Sequence, residues 1–86
     1  MKNSAITTYI MFTASRRSLS QAEIADRYGI SREAVNRVVN GKAEFPIVRQ
    51  SIAQALGHRD WTELTVAAEK FQLDIQTIYN KLSIRA

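Results

Sequence analysis

Arg32, Glu33, Asn36, Arg37 and Asn40 recur at steps of one, three and four residues, so on a helix they share one face, and that face is polar throughout. Side chains of these types can read base edges. The arginine fork matches the O6 and N7 acceptors of guanine, and the asparagine amide matches N6 and N7 of adenine. The simpler reading is a solvated helix on which Glu33 and Arg37 form an i, i+4 ion pair. What decides between them is the set of elements that must hold the face in place.

Upstream, Ser20 is suited to cap a helix and Glu23 follows at capping-box spacing. Ile24, Ala25 and Tyr28 form one apolar stripe, and Gly29 stands where the chain must turn sharply through positive φ. Ile30 plugs the corner. Ser31 offers a second N-cap, and Val35, Val38 and Val39 give the next helix an inward stripe that should end near Asn40 and Gly41. Ala25 is small, as two helices crossing this closely require. Residues 19–42 therefore read as two short helices joined at a glycine corner, a helix-turn-helix, and that context favours base readout for the polar face.

At Leu19, Ser20, Gln21, Ile24, Ala25, Gly29, Ile30, Ser31, Val35, Arg37 and the run Asn40, Gly41, Lys42 the chain resembles the lambda-repressor and Cro-type helix-turn-helix family, including the Xre-like bacterial and phage regulators. Residues 48–57, VRQSIAQALG, are similar to the family's fourth helix. The resemblance implies an all-α fold of five to six helices that binds double-stranded DNA, with residues 31–40 in the major groove. Arg32, Glu33, Asn36 and Arg37 are then the candidate base contacts. Gln21 takes the position that in the family meets a phosphate, and Ser31, Asn40 and Lys42 are further phosphate candidates. Arg16 and Arg17, a basic pair just before Ser18, stand where backbone phosphates of a docked duplex could be reached. A phage or prophage type of repressor, acting as a homodimer on a two-fold operator, is the function this implies. No cofactor, metal or small-molecule ligand is implied.

Bulk properties agree. A chain of 86 residues is one small domain. Its net charge of +4 is unevenly placed: residues 1–50 hold eight basic against four acidic side chains, and residues 51–86 hold four of each. The excess lies with the motif, as a polyanion-binding surface requires. There is no cysteine, so neither a disulfide framework nor a thiolate metal site is available, and a reducing cytoplasm is the natural home. A Gly-rich phosphate loop, a histidine pair and a nucleophile elbow are all absent, which leaves enzymatic readings little support.

Residues 4–14 read as a first helix with Ile6, Tyr9, Ile10 and Phe12 or Thr13 inward. Lys2 ahead of this run and Ala14 after it have the outline of a signal peptide, but Thr7, Thr8, Tyr9 and Thr13 make a poor apolar segment. No stretch approaches the roughly 20 apolar residues of a membrane span. Pro46 suits the first position of the fourth helix, whose core face is expected from Phe45, Val48, Ile52, Ala55 and Leu56, with Arg49 and Gln50 in solvent. His58 reads as a surface loop residue. Asp60 and Glu63 have capping-box spacing for a fifth helix facing inward with Trp61, Leu64, Ala67 or Ala68, and Phe71.

Shifted by 43 residues, the motif lies over LTVAAEKFQLDIQTIYNKL, with Ala25 on Ala68, Tyr28 on Phe71, Ile30 on Leu73, Ser31 on Asp74 and Val35 on Ile78. Residues 1–58 are thus expected as the DNA-binding core. Residues 59–86 are either a second helix-turn-helix-like unit or C-terminal helices in which Ile75, Ile78 and Leu82 pack on the core or pair with a second subunit. Two rival functions follow: an architectural or excision-type factor that touches DNA with both units, and an antitoxin-like protein-interaction module.

Overall fold

Caps and corners divide the chain into five helices among the described residues, 4–85 of a computed structural model. These are α1 (Ser4–Arg16), α2 (Gln21–Tyr28), α3 (Arg32–Val39), α4 (Pro46–Ala55) and α5 (Trp61–Arg85). The fold of the described residues is all-α, as expected. Lys2, which entered the signal-peptide outline, lies outside the described residues. No helix among those described is long and apolar enough to cross a membrane.

Each boundary has a local cause. Ser20 Oγ accepts from the Glu23 amide at 3.1 Å while the Ser20 amide donates to Glu23 Oε1 at 2.9 Å, so the capping box that opens α2 is complete. Gly29 ends α2 at φ +65°, which lets the Ile30 amide reach back to the Ala25 carbonyl at 3.0 Å. Ser31 Oγ then accepts from the Ala34 amide and starts α3. Helix α1 ends by the same left-handed device without a glycine. Ser18 adopts φ +53°, and the Leu19 amide bonds the Ala14 carbonyl at 2.9 Å.

The apolar stripes converge on one core. Ile10 of α1, Ile24 and Ala25 of α2, Val35, Val38 and Val39 of α3, Val48, Ile52, Ala53 and Ala55 of α4, and Leu64 and Ala68 of α5 are all buried. Thr7 adds a polar tie, its hydroxyl donating to the Val39 carbonyl at 2.6 Å across α1 and α3. The first half of α5 therefore completes the same core as the helix-turn-helix.

Several expectations need correction. Phe45 is exposed, and of the alternatives Phe12 and Thr13 it is Thr13 that turns half inward while Phe12 is exposed. Phe45 precedes α4 as its N-cap residue, so the helical period that buries Val48 and Ile52 does not govern it. Arg49 is half-buried, its guanidinium 5.0 Å from the Trp61 ring centroid, and Gln50 donates to the Arg59 carbonyl at 3.0 Å. His58 is no surface residue: its Nε2 is 2.7 Å from the Tyr9 hydroxyl and its Nδ1 3.4 Å from Glu63 Oε1. It joins α1 to the start of α5.

The largest correction concerns the tail. Helix α5 runs unbroken through Gln72, so there is no second corner and no second helix-turn-helix-like unit. The corner needs a residue that adopts positive φ without cost, and glutamine instead favours the helix. The likeness of the two segments reaches Ala68, buried like Ala25, and Phe71, half-buried like Tyr28, and stops there. Nor is there a sixth helix on the core, because Ile75, Ile78 and Leu82 are exposed.

Candidate nucleic-acid interface

Because Val35, Val38 and Val39 anchor one side of α3 in the core, the opposite side is fixed in solvent: Arg32, Glu33, Asn36, Arg37 and Asn40 are all exposed. Among them, Asn36 is held. Its Nδ2 donates to Oε1 of Gln21, the first residue of α2, at 3.2 Å. That bond leaves the Asn36 side-chain oxygen Oδ1 and one amide hydrogen unspent, the acceptor and donor that an adenine edge requires.

Glu33 and Arg37 do pair, at 3.7 Å between Oε2 and Nη2. Both are well exposed, so the pair contributes little to stability and can exchange for a stronger partner. The expected pair and the expected base contacts are thus compatible. Asn40 donates from Nδ2 to the Asn36 carbonyl at 2.9 Å and closes the C-terminal end of α3, keeping its side-chain oxygen outward. The Ser31 hydroxyl accepts from Ala34 as a cap and keeps its proton for a further acceptor. Lys42 follows Gly41, exposed, with its amide bonded to the Arg37 carbonyl at 2.8 Å.

At the start of α2 the capping box has an electrostatic consequence. Hydrogen bonds from the Ser20 backbone and then from its side chain hold the Glu23 carboxyl below its ordinary pKa, and nearby Arg27 adds to the effect. The Ser20 and Glu23 amides are thereby occupied, which leaves those of Gln21 and Ala22 at the end of the helix for an incoming anion.

Arg16 and Arg17 do not join this constellation by any contact. The Arg16 guanidinium lies 5.7 Å from the Phe12 ring centroid, while that of Arg17 lies against Gly57, so close that a Cβ there would stand 2.7 Å from Nη2. With Thr13 they line a cleft of about 310 Å³ at the end of α1.

One neighbour of the α3 face was missed in the sequence. Phe45 closes a cleft of about 290 Å³ with Ser31, Glu33, Ala34 and Arg37, and Ile47 one residue into α4 is 75% exposed. Periodicity offered no sign of this, since it assigns inward and outward only inside a helix.

A short helix anchored by three valines, carrying an arginine and asparagine face beside a second helix N-terminus, defines a DNA-binding helix-turn-helix protein. Residues 16–48 match the family described as helix-turn-helix, a span that contains α2, the corner and α3. The match supports the resemblance of this motif to the lambda-repressor and Cro-type helix-turn-helix family, a family of DNA-binding regulators. No curated protein and no solved structure matches the chain.

Proposed function

We propose that the protein is a sequence-specific transcriptional regulator of the phage or prophage repressor type, which binds a two-fold operator as a homodimer and represses by occupying promoter DNA. The observation that carries the reading is the α3 face: its polar side chains are exposed and held from two sides, by the buried valine stripe and by the Gln21–Asn36 bond.

Helix α3 enters the major groove, Asn36 reads an adenine edge, and Arg32, Glu33 and Arg37 face neighbouring base edges, Arg37 leaving Glu33 for a base or phosphate. Gln21, Ser31, Asn40 and Lys42 fix the register through phosphates, with the free amides of α2 beside Gln21. Arg16 and Arg17 contribute phosphate contacts only by leaving Phe12 and Gly57, so their share is the smaller one. An architectural factor with two DNA-binding heads is disfavoured by the unbroken course of α5.

Selection from a random duplex library, with the intact protein beside an Arg32→Ala, Asn36→Ala variant at one salt concentration, tests the assignment. A palindrome with half-sites about 10 base pairs apart, enriched by the intact protein alone, is expected. Enrichment of the same sequence by both proteins would remove α3 from base readout. Enrichment by neither would leave the fold to a protein partner.

A further inference from the structure

From Trp61 onward, Leu64, Ala68, Phe71, Ile75, Ile78 and Leu82 follow at alternating steps of three and four residues, the spacing of the a and d positions of a coiled coil. The first members of this stripe serve the core. Leu64 and Ala68 are buried, and Phe71 is half-buried with its ring 5.6 Å from that of Tyr9 and 4.9 Å from that of Phe12. Past Phe71 the stripe leaves the core: Ile75, Ile78 and Leu82 are 45%, 58% and 63% exposed.

We infer that residues 71–82 of α5 form an interface with a second copy of this chain, and that the two helices run antiparallel. The inference rests on the dimeric reading above and gives it a geometry. Charge selects the direction. One edge of the stripe carries Asp74 and Lys81, the other Gln72 and Tyr79. In a parallel pair unlike edges meet, and Asp74 faces Tyr79 of the second copy with no ion pair formed. In an antiparallel pair like edges meet. With Ile75 opposite Ile78 of the second copy, each Asp74 comes within one turn of the other copy's Lys81, twice by symmetry. On its own helix Asp74 uses Oδ2 to bind Lys70 at 3.2 Å, which leaves Oδ1 for this contact.

The same register sets Leu82 against Phe71 of the second copy, beside its exposed Phe12, so the interface continues the aromatic edge of the core. Ile75, Ile78, Tyr79, Leu82 and Phe12 from both copies then bury on the order of 1,000 Å², the lower limit for a specific interface. The two-fold axis falls between Gln76 and Thr77. The core-bound half of α5, centred near residue 66, lies about ten residues from it, which separates the two DNA-binding units by about 30 Å along the helices. That is close to one turn of duplex, the separation of two half-sites.

Sedimentation equilibrium of the full chain without DNA tests association, and disulfide trapping tests direction in a protein that has no native cysteine. The intact chain is expected to dimerise. Ile78→Asp should weaken association at least about a hundredfold while the helical circular dichroism of the folded chain stays unchanged, because two carboxylates would be buried in the pair and none in the monomer. Its melting temperature should lose the dependence on protein concentration that the dimer confers. Separately prepared Ile75→Cys and Ile78→Cys chains should cross-link with one another on mixing and not with themselves. An intact chain that stays monomeric, or Cys variants that each cross-link alone, would overturn the inference. Failure here stays distinct from failure of the DNA reading: a monomer that still enriches a duplex sequence loses the seam and the homodimer but keeps α3 as the DNA reader, and a dimer that enriches none loses only the regulator.

Discussion

The bond between Gln21 and Asn36 makes a prediction that separates positioning from contact. Asn36 Nδ2 spends one hydrogen on Gln21 Oε1 at 3.2 Å, so the amide enters the groove already oriented for adenine. Asn36→Ala removes a two-bond base contact, which amounts to about 1–3 kcal/mol of discrimination, or about 5- to 150-fold, at one base pair. Gln21→Ala leaves the contact in place but frees its orientation. A neutral hydrogen bond between exposed side chains contributes about 0.5–1.5 kcal/mol, so discrimination at the same base pair should fall by about 2- to 12-fold. Loss of the Gln21 phosphate contact adds a second decrement that is equal for all sequences.

Because both side chains serve one contact, the double variant should lose less discrimination than the two single losses combined, by more than the ~0.5 kcal/mol allowed for independent sites. The assay is equilibrium binding to the selected duplex and to each of its single-base variants at one salt concentration. Additive losses of discrimination, or a Gln21→Ala loss spread evenly over every sequence, would show that Gln21 holds only phosphate and that Asn36 orients itself.

Three further outcomes are expected. Lys42→Ala should weaken binding to all duplexes alike and reduce the salt slope by about one, so a loss confined to one sequence would contradict its role. Ser18→Gly should raise thermal stability by about 0.5–1 kcal/mol, since a serine now holds φ +53° where glycine carries no side-chain penalty; an unchanged or lower melting temperature would deny that strain. The depressed pKa of Glu23 makes the α2 cap a stabilising feature that is fully present above the ordinary carboxyl value of 4.5 and lost as pH falls through the lower folded value. Intact protein and Glu23→Gln should therefore differ in melting temperature near neutrality and converge in acid, and a difference that does not shrink as pH falls below 4.5 would refute the linkage.

Much of this was legible because local chemistry and tertiary need agree in the motif. Ser20, Glu23, Gly29 and Ser31 each specify one backbone event, and each event occurs. Legibility failed where a residue's fate depends on what lies across from it. His58 has no sequence neighbour that marks it, and only the approach of Tyr9 from α1 turns a loop residue into a tie. Arg49 looks like a solvated helix residue until Trp61 of the next helix covers it. The repeat in the tail misled for a different reason: an apolar stripe at Ala68, Phe71 and Ile78 is common to a bent pair of helices and to one long helix. Only the corner residue distinguishes them, and Gln72 decides for the straight one.

The same architecture ties DNA reading to the stability of the whole domain. Helix α3 has eight residues, far short of the roughly 12–15 at which an isolated helix begins to persist in water. Its helicity therefore comes from Val35, Val38 and Val39 in a core that Leu64 of α5 helps to close. Leu64→Ala removes a fully buried side chain at a cost of about 2–5 kcal/mol, comparable to the entire stability of a domain this small. Such a variant would lose operator affinity by depopulating the folded form without touching the interface, and excess duplex should restore its melting temperature by mass action. Asn36→Ala has the opposite signature, an unchanged melting temperature with lost discrimination. The pair of measurements separates a side chain that meets DNA from one that only keeps α3 in place.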